Sequence, residues 1–78
     1  MNLEDKILTI MREVFGMDEV PTDVSQKNCD RWDSLRHLNL ATELEDALDI
    51  ELEPEEIAEM KDFDAVLSIV KDKLQVAD

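Results

Sequence analysis

Ser34 is the residue whose chemistry most needs an explanation, because it lies where a long polar segment meets a periodic apolar one. Asp33 precedes it and Leu35 follows it. The spacing predicts a helix that begins at Ser34, so either Asp33 or Ser34 could cap it. A cap does not exclude a second role. A serine hydroxyl at a helix start is accessible, and the positive end of the helix favours an attached phosphate.

His37 suggests a different chemistry, in which it acts as the base for a serine nucleophile. It lies three residues after Ser34, within reach on a helix. However, no glycine turn is present to build a strained elbow, and no oxyanion hole follows from the sequence. A half-buried structural role, or a contact beside Ser34, is therefore favoured for His37. One histidine and the single Cys29 form no metal cluster, and the acids lack a calcium-loop spacing.

The apolar periodicity predicts four helices to position Ser34, at about 2–15, 34–48, 54–60 and 63–74. Asn2 and Asp62 suit the N-cap positions of the first and last helices. Gly16 suits a left-handed end to the first helix, and Pro54 suits the first position of the short third helix. The tail after Leu74 is expected to fray. The predicted fold class is all-α, a small four-helix bundle of three main helices and a short third helix, forming a single domain over residues 1–78.

Residues 17–33 show no sustained period and are rich in turn formers, so a long loop between helices 1 and 2 is predicted. Val20, Val24 and Trp32 are expected to anchor this loop to the core. The helical wheel of the second helix predicts an inward set of Leu40, Ala41, Leu44, Ala47 and Leu48. It predicts an outward set of Asn39, Thr42, Glu43, Asp46 and Asp49.

Charge is the strongest feature of the composition, with 21 acids against eight bases and a formal net charge of -13. Such a chain repels nucleic acid and anionic membranes and attracts basic protein surfaces, although acids also simply keep a small protein soluble. From residue 38 to residue 60 there is no Lys or Arg. No apolar run is long enough for a membrane span, no secretion signal is evident, and the cysteine is unpaired. A complete, cytoplasmic chain is expected.

The second helix and its exit resemble those of acyl carrier proteins. The resemblance rests on Asp33-Ser34-Leu35, on the inward Leu40 and Leu44, and on the segment Ala47-Leu48-Asp49-Ile50-Glu51-Leu52. It extends over nearly the whole chain through the order of the helices. It implies that a phosphopantetheinyl transferase attaches 4'-phosphopantetheine from coenzyme A to Ser34. The thiol of this arm, and not Cys29, then holds an acyl group as a thioester, so the protein is a carrier and not an enzyme.

The resemblance also implies a partner-binding surface. Asp33 matches the family's acidic residue before the serine, and Leu35 matches its exposed docking leucine. The implied contact residues are Leu35, Arg36, Asn39, Thr42, Glu43, Asp46, Asp49 and Glu55. The implied partners are the transferase and acyl-loading and acyl-processing enzymes with basic docking surfaces, and the carrier is expected to be a monomer.

Several positions depart from the pattern of fatty-acid-synthesis carriers. Arg36 follows the triplet where an acid is usual, Asn39 replaces another acid, and Thr42 replaces an apolar residue. Arg31-Trp32 stands where a glycine is usual. These departures favour a specialised carrier, such as one of a polyketide, lipid-modification or other secondary pathway, over a housekeeping fatty acid carrier. The expected role is carriage of acyl intermediates in a fatty acid, polyketide or specialised lipid pathway. Two alternatives stay open: an aminoacyl, D-alanyl or peptidyl carrier, and an unmodified acidic helical interaction domain in which Ser34 only caps a helix.

Overall fold

Four helices form the protein in the computed structural model, which describes residues 2–74. They are α1 (Leu3–Phe15), α2 (Ser34–Leu48), α3 (Pro54–Glu59) and α4 (Phe63–Leu74). The predicted all-α four-helix bundle is confirmed. The fraying predicted after Leu74 lies outside the described residues. No helix within 2–74 is long and apolar enough to cross a membrane.

The helix ends follow local chemistry. The Asn2 side chain accepts a hydrogen bond from the backbone N–H of Asp5 at 2.8 Å and caps α1. Gly16 ends α1 in the left-handed conformation, with φ of 66°, and its N–H donates to the Arg12 carbonyl. Asp62 caps α4 through its carboxylate. The predicted caps are therefore confirmed, and α3 ends one residue earlier than predicted.

The core lies between α1, α2 and α4, with α1 packed against both of the others. The buried residues of α2 are Leu40, Ala41 and Leu44, as predicted. Leu48 is half-buried, and the prediction for Ala47 is wrong because that residue is exposed. Ala47 lies on the same arc of the helical wheel as Leu40, so the helical period does not explain why Ala47 is exposed. It lies in the last turn of α2, where its short side chain does not reach the core.

The loop between α1 and α2 is held to the bundle by both side chains and backbone. Its predicted apolar anchors are buried: Val20, Val24 and Trp32. The backbone N–H of Gln26 donates to the Lys61 carbonyl at 2.9 Å, and the Phe63 N–H donates to the Val24 carbonyl at 3.0 Å. These bonds fix the loop to the connection between α3 and α4. The loop therefore presents a defined surface beside the start of α2.

Candidate functional site

Asp33, and not Ser34, caps α2. Asp33 has an extended backbone, and its Oδ1 accepts a hydrogen bond from the Arg36 N–H at 2.8 Å. Ser34 is then the first residue of the helix and is exposed. The N–H groups of Ser34 and Leu35 lie in the first turn, where helix geometry provides no intrahelical acceptor. An accessible hydroxyl beside such N–H groups fits a phosphate ester.

Arg36 is bound to its own chain beside Ser34. Its Nη1 lies 2.8 Å from Asp33 Oδ2, with both side chains partly exposed. The hydrogen bond from the Arg36 backbone N–H, helped by the nearby guanidinium, holds the pKa of Asp33 below its usual value. Asp33 therefore stays ionised at neutral pH. The first turn of α2 pairs one negative charge with one positive charge, so it contributes little to the acidic surface.

Ser34 lines a surface groove of about 460 Å³ between the loop and α2. Its lining residues are Gln26, Trp32, Asp33, Ser34, His37 and Leu38. Leu38 is 58% exposed and was missed in the sequence. Its position gives only a weak indication, since it lies just outside the inward arc of Leu40, Ala41 and Leu44 and three residues after the exposed Leu35. Two exposed leucines thus follow Ser34 within one turn.

His37 is half-buried, as predicted, and joins three parts of the fold. The Trp32 indole N–H donates to its Nδ1 at 2.9 Å, while its Nε2 lies 2.7 Å from the Ile57 carbonyl oxygen. Because an indole nitrogen only donates, Nδ1 must accept and Nε2–H must donate to Ile57. Both ring nitrogens are occupied by these partners. This geometry gives His37 no free lone pair with which to activate Ser34.

The outward face of α2 has the predicted orientation. Its exposed residues include Asn39, Thr42, Glu43, Asp46 and Asp49. Leu35 is 69% exposed, and Glu55 on α3 is exposed as well. Glu45 differs, because it is half-buried and its Oε2 accepts the Leu52 backbone N–H at 2.8 Å. Glu45 therefore stabilises the exit from α2.

The remaining residues considered in the sequence are buried or bound within the fold and do not form part of an exposed site. Trp32 is buried and packs on Phe15 with ring centroids 5.2 Å apart. Arg31 donates to the Phe15 carbonyl at 3.2 Å. Cys29 is buried, with its sulfur 3.8 Å from that of Met17. Within residues 2–74 there is no group of three or more His, Cys, Asp or Glu residues placed to hold a metal ion.

Comparison with known proteins gives structural matches over nearly the whole chain. The solution structure of holo acyl carrier protein from Geobacter metallireducens is 31% identical, with a TM-score of 0.84, and the match covers 96% of this chain and 88% of that one. The crystal structure of acyl carrier protein from Thermotoga maritima is 27% identical, with a TM-score of 0.77, covering 94% of this chain and 87% of that one. No protein-family model and no curated protein matches the chain.

Proposed function

The chain belongs to the acyl carrier protein family, and we propose that it carries acyl intermediates on a 4'-phosphopantetheine arm attached to Ser34. The observation that carries this proposal is the exposed Ser34 hydroxyl at the start of α2, directly after the Asp33 cap. The Geobacter structure is of a holo carrier, the form that bears its prosthetic group.

The residues around Ser34 fit such a group. Its phosphate would lie beside the first-turn N–H groups of α2, where the helix dipole favours negative charge. The Arg36 guanidinium, already paired with Asp33, adds a cation within the same turn. The arm supplies a thiol for thioester formation. The chain's own thiol does not compete for this chemistry, because Cys29 is buried.

Partner enzymes are proposed to read the outward face of α2. Glu43, Asp46 and Asp49 are exposed and attract basic docking surfaces. Leu35 is exposed beside Ser34 and supplies an apolar contact. Charge steering raises the rate of encounter without a large buried area, so a carrier can bind several enzymes and leave them. The phosphopantetheinyl transferase is the first of these proposed partners.

The departures from the fatty-acid-synthesis pattern divide into two kinds. Arg31 and Trp32 bind and pack against the chain itself, so they serve the fold. Arg36, Asn39 and Thr42 lie on the surface beside or beyond Ser34. We therefore propose a specialised pathway whose enzymes accept these three residues. Arg36→Asp is expected to improve recognition by a general fatty acid synthase enzyme. An unchanged rate would show that Arg36 is not a specificity element.

Intact mass after incubation with coenzyme A and a promiscuous phosphopantetheinyl transferase tests the proposal. The wild type is expected to gain one phosphopantetheine, and Ser34→Ala is expected to gain none. Ser68→Ala is the matched control, because Ser68 is an exposed serine on α4. No addition to the wild type, or equal addition to Ser34→Ala, would exclude the carrier function and favour an unmodified interaction domain. Loading the holo form with acyl and with aminoacyl groups then separates the two cargo classes.

A further inference from the structure

Two exposed lysines on the loop side of Ser34 carry the charge opposite to that of the exposed acids of α2. We propose that Lys27 and Lys61, together called the lysine pair, bind carboxylate side chains of the transferase that modifies Ser34. This inference rests on the function proposed for Ser34. It adds a contact of the opposite sign to the basic docking surfaces proposed to bind α2.

The lysine pair lines a second groove, which adjoins the groove at Ser34. Its volume is about 310 Å³, and its lining residues are Ser25, Gln26, Lys27, Lys61 and Asp62. Gln26 also lines the groove that contains Ser34. The two grooves therefore share one side chain, and a protein that binds over Ser34 from the loop side also meets the lysine pair.

Both lysines are available to a partner. Both are exposed, and within residues 2–74 neither side chain has an ion-pair or hydrogen-bond partner. Arg31 and Arg36 differ, because their guanidinium groups are bound by other groups of the chain. A carboxylate from outside would therefore meet two cations that no acid of the described chain has paired.

The backbone holds the two lysines in fixed relative positions. The Gln26 N–H donates to the Lys61 carbonyl at 2.9 Å, so the residue before Lys27 is joined directly to Lys61. The Asn28 side chain accepts the Ser25 N–H at 2.9 Å and stabilises the turn that contains Lys27. A docking partner would therefore have only the lysine side chains to order, which lowers the entropic cost of binding.

The one carboxylate in this groove neutralises the lysine pair only in part. Asp62 Oδ1 accepts the Ala65 N–H at 2.8 Å and caps α4. The lining thus has two positive charges and one negative charge, on a protein with a formal net charge of -13. Such a local reversal of sign attracts carboxylates and repels the basic groups that bind α2. It would therefore fix the orientation of a docked enzyme.

The transferase is the proposed partner that must touch Ser34 itself. In the transfer, the Ser34 oxygen bonds to the pantetheine-bearing phosphorus of coenzyme A, and the bond from that phosphorus to the second phosphate group breaks. Adenosine 3',5'-bisphosphate leaves, and the serine proton is released. An enzyme that acts on the thiol at the far end of the arm does not need this contact.

The size of a usual protein interface brings the lysine pair within reach of the transferase. A standard interface covers about 800 Å² of each partner, a patch with a radius of roughly 16 Å. The longest extent of the fold is 31 Å. An interface centred on Ser34 therefore includes the adjoining groove.

Zero-length cross-linking tests the contact directly, because a carbodiimide joins a lysine amine to a carboxylate only where the two touch. The apo carrier is mixed with the phosphopantetheinyl transferase of the same genome, without coenzyme A, and the products are identified by mass spectrometry. Amide links are expected from Lys27 and Lys61 to Asp or Glu residues of the transferase. Lys6 is the matched control, since it is exposed on α1 and lines neither groove. It is expected to give no link.

Steady-state transfer to the carrier measures what the contact contributes. Lys27→Glu and Lys61→Glu are each expected to lower kcat/KM roughly threefold at low salt, through the KM for the carrier, because an attraction becomes a repulsion. Lys6→Glu makes the same change in charge and is expected to leave kcat/KM unchanged. The neutral variant Lys27→Gln/Lys61→Gln is also expected to lose roughly threefold, and it decides the question if a reversed variant fails to fold.

The outcomes separate the contact from the carrier function. No link from Lys27 or Lys61 to the transferase, or an equal loss of rate in Lys6→Glu, would overturn the contact. A rise in the KM for coenzyme A alone would also overturn it, because the lysines would then bind phosphates of the coenzyme. In each case a wild type that gains phosphopantetheine by intact mass keeps its carrier function. A wild type that gains none would overturn the carrier function, and the contact with it.

Discussion

Replacing His37 by alanine is expected to destabilise the protein through two separate losses. The first is the acceptor for the Trp32 indole N–H, which lies on a side chain only 4% exposed. The second is the donor to the Ile57 carbonyl, which lies in the short helix α3. α3 has no fully buried residue of its own. The bond from His37 is therefore a substantial part of what holds α3 to the start of α2.

The magnitude follows from these two bonds. An orphaned indole N–H on the buried Trp32 costs about 1–3 kcal/mol, and the lost bond to Ile57 costs about 0.5–1.5 kcal/mol. Alanine returns up to about 0.7 kcal/mol through its helix propensity. The net cost is about 1–4 kcal/mol, against a total stability of roughly 4–12 kcal/mol for a domain of this length. Each kcal/mol lowers Tm by roughly 4–8 °C.

A double-mutant cycle in urea and thermal unfolding measures the coupling. Trp32→Phe removes the N–H donor but keeps an aromatic ring against Phe15. His37→Ala is expected to cost less in the Trp32→Phe background, by a coupling energy of about 0.5–3 kcal/mol. Gln26→Ala is the control, because the Gln26 side chain is exposed and makes the longer contact to His37, while the backbone bond of Gln26 to Lys61 is kept in the variant. Its effect is expected to stay within about 0.5 kcal/mol.

An equal cost of His37→Ala in both backgrounds would show that the Trp32–His37 bond contributes nothing to stability beyond packing. Unchanged amide exchange in α3 would contradict the role of the bond to Ile57, since its loss in His37→Ala should loosen that helix.

Three further predictions concern the charged and thiol groups near the site. The Arg36 N–H holds the pKa of Asp33 below its usual 3.8. The ionised Asp33 carboxylate therefore stabilises the fold above pH 3.8, and this stabilisation is lost as the pH falls through the lowered pKa. Asp33→Asn keeps the cap, so the variant should show a smaller loss of Tm than the wild type between about pH 5 and pH 3. Glu45→Ala should cost about 1–3 kcal/mol in urea unfolding because it leaves a part-buried backbone N–H unpaired, whereas the exposed Asp46→Ala should stay within about 0.5 kcal/mol. Buried Cys29 should react slowly with a thiol reagent in the folded protein, so attachment of the arm should add one rapidly reacting thiol, and a fast thiol before attachment would contradict the burial of Cys29.

The helix limits were predictable because local residues set them. The cap at Asp33 and the left-handed Asp49, with φ of 55°, enclose α2 at the predicted positions. Gly16 does the same for α1. Each of these capping residues lies within four residues of the backbone group with which it forms a hydrogen bond, so the sequence alone is sufficient to predict the helix ends. The predicted all-α fold follows from them together with the apolar periods.

The contacts around the site were less predictable because their partners are distant or are backbone atoms. His37 binds a carbonyl 20 residues away, at Ile57, and no side-chain pattern marks a carbonyl as an acceptor. Glu45 is a second example, because its charge is visible in the sequence whereas the hydrogen bond that it accepts from the Leu52 backbone N–H is not. Leu38 lies just outside the inward arc of α2, so the helical wheel gives only a weak indication of its exposure. Hydrogen bonds to distant backbone groups thus distinguish the residues with a structural role from the exposed ones, and the sequence does not show these bonds.

The difference between bound and exposed acids also determines the charge that a partner would meet at Ser34. The net charge of -13 overstates the charge beside that residue. Among the described residues, the carboxylates of Asp33, Glu45, Glu56 and Asp62 are bound by the chain's own groups. The exposed acids of α2 lie in its later turns: Glu43, Asp46 and Asp49. We therefore expect the proposed basic partner enzyme to be attracted to the middle and end of α2, and to meet Ser34 beside two exposed leucines and a neutral ion pair. Salt should then weaken the encounter strongly, since exposed charges are screened beyond about 8–10 Å, and should affect the apolar contact at the attachment site much less.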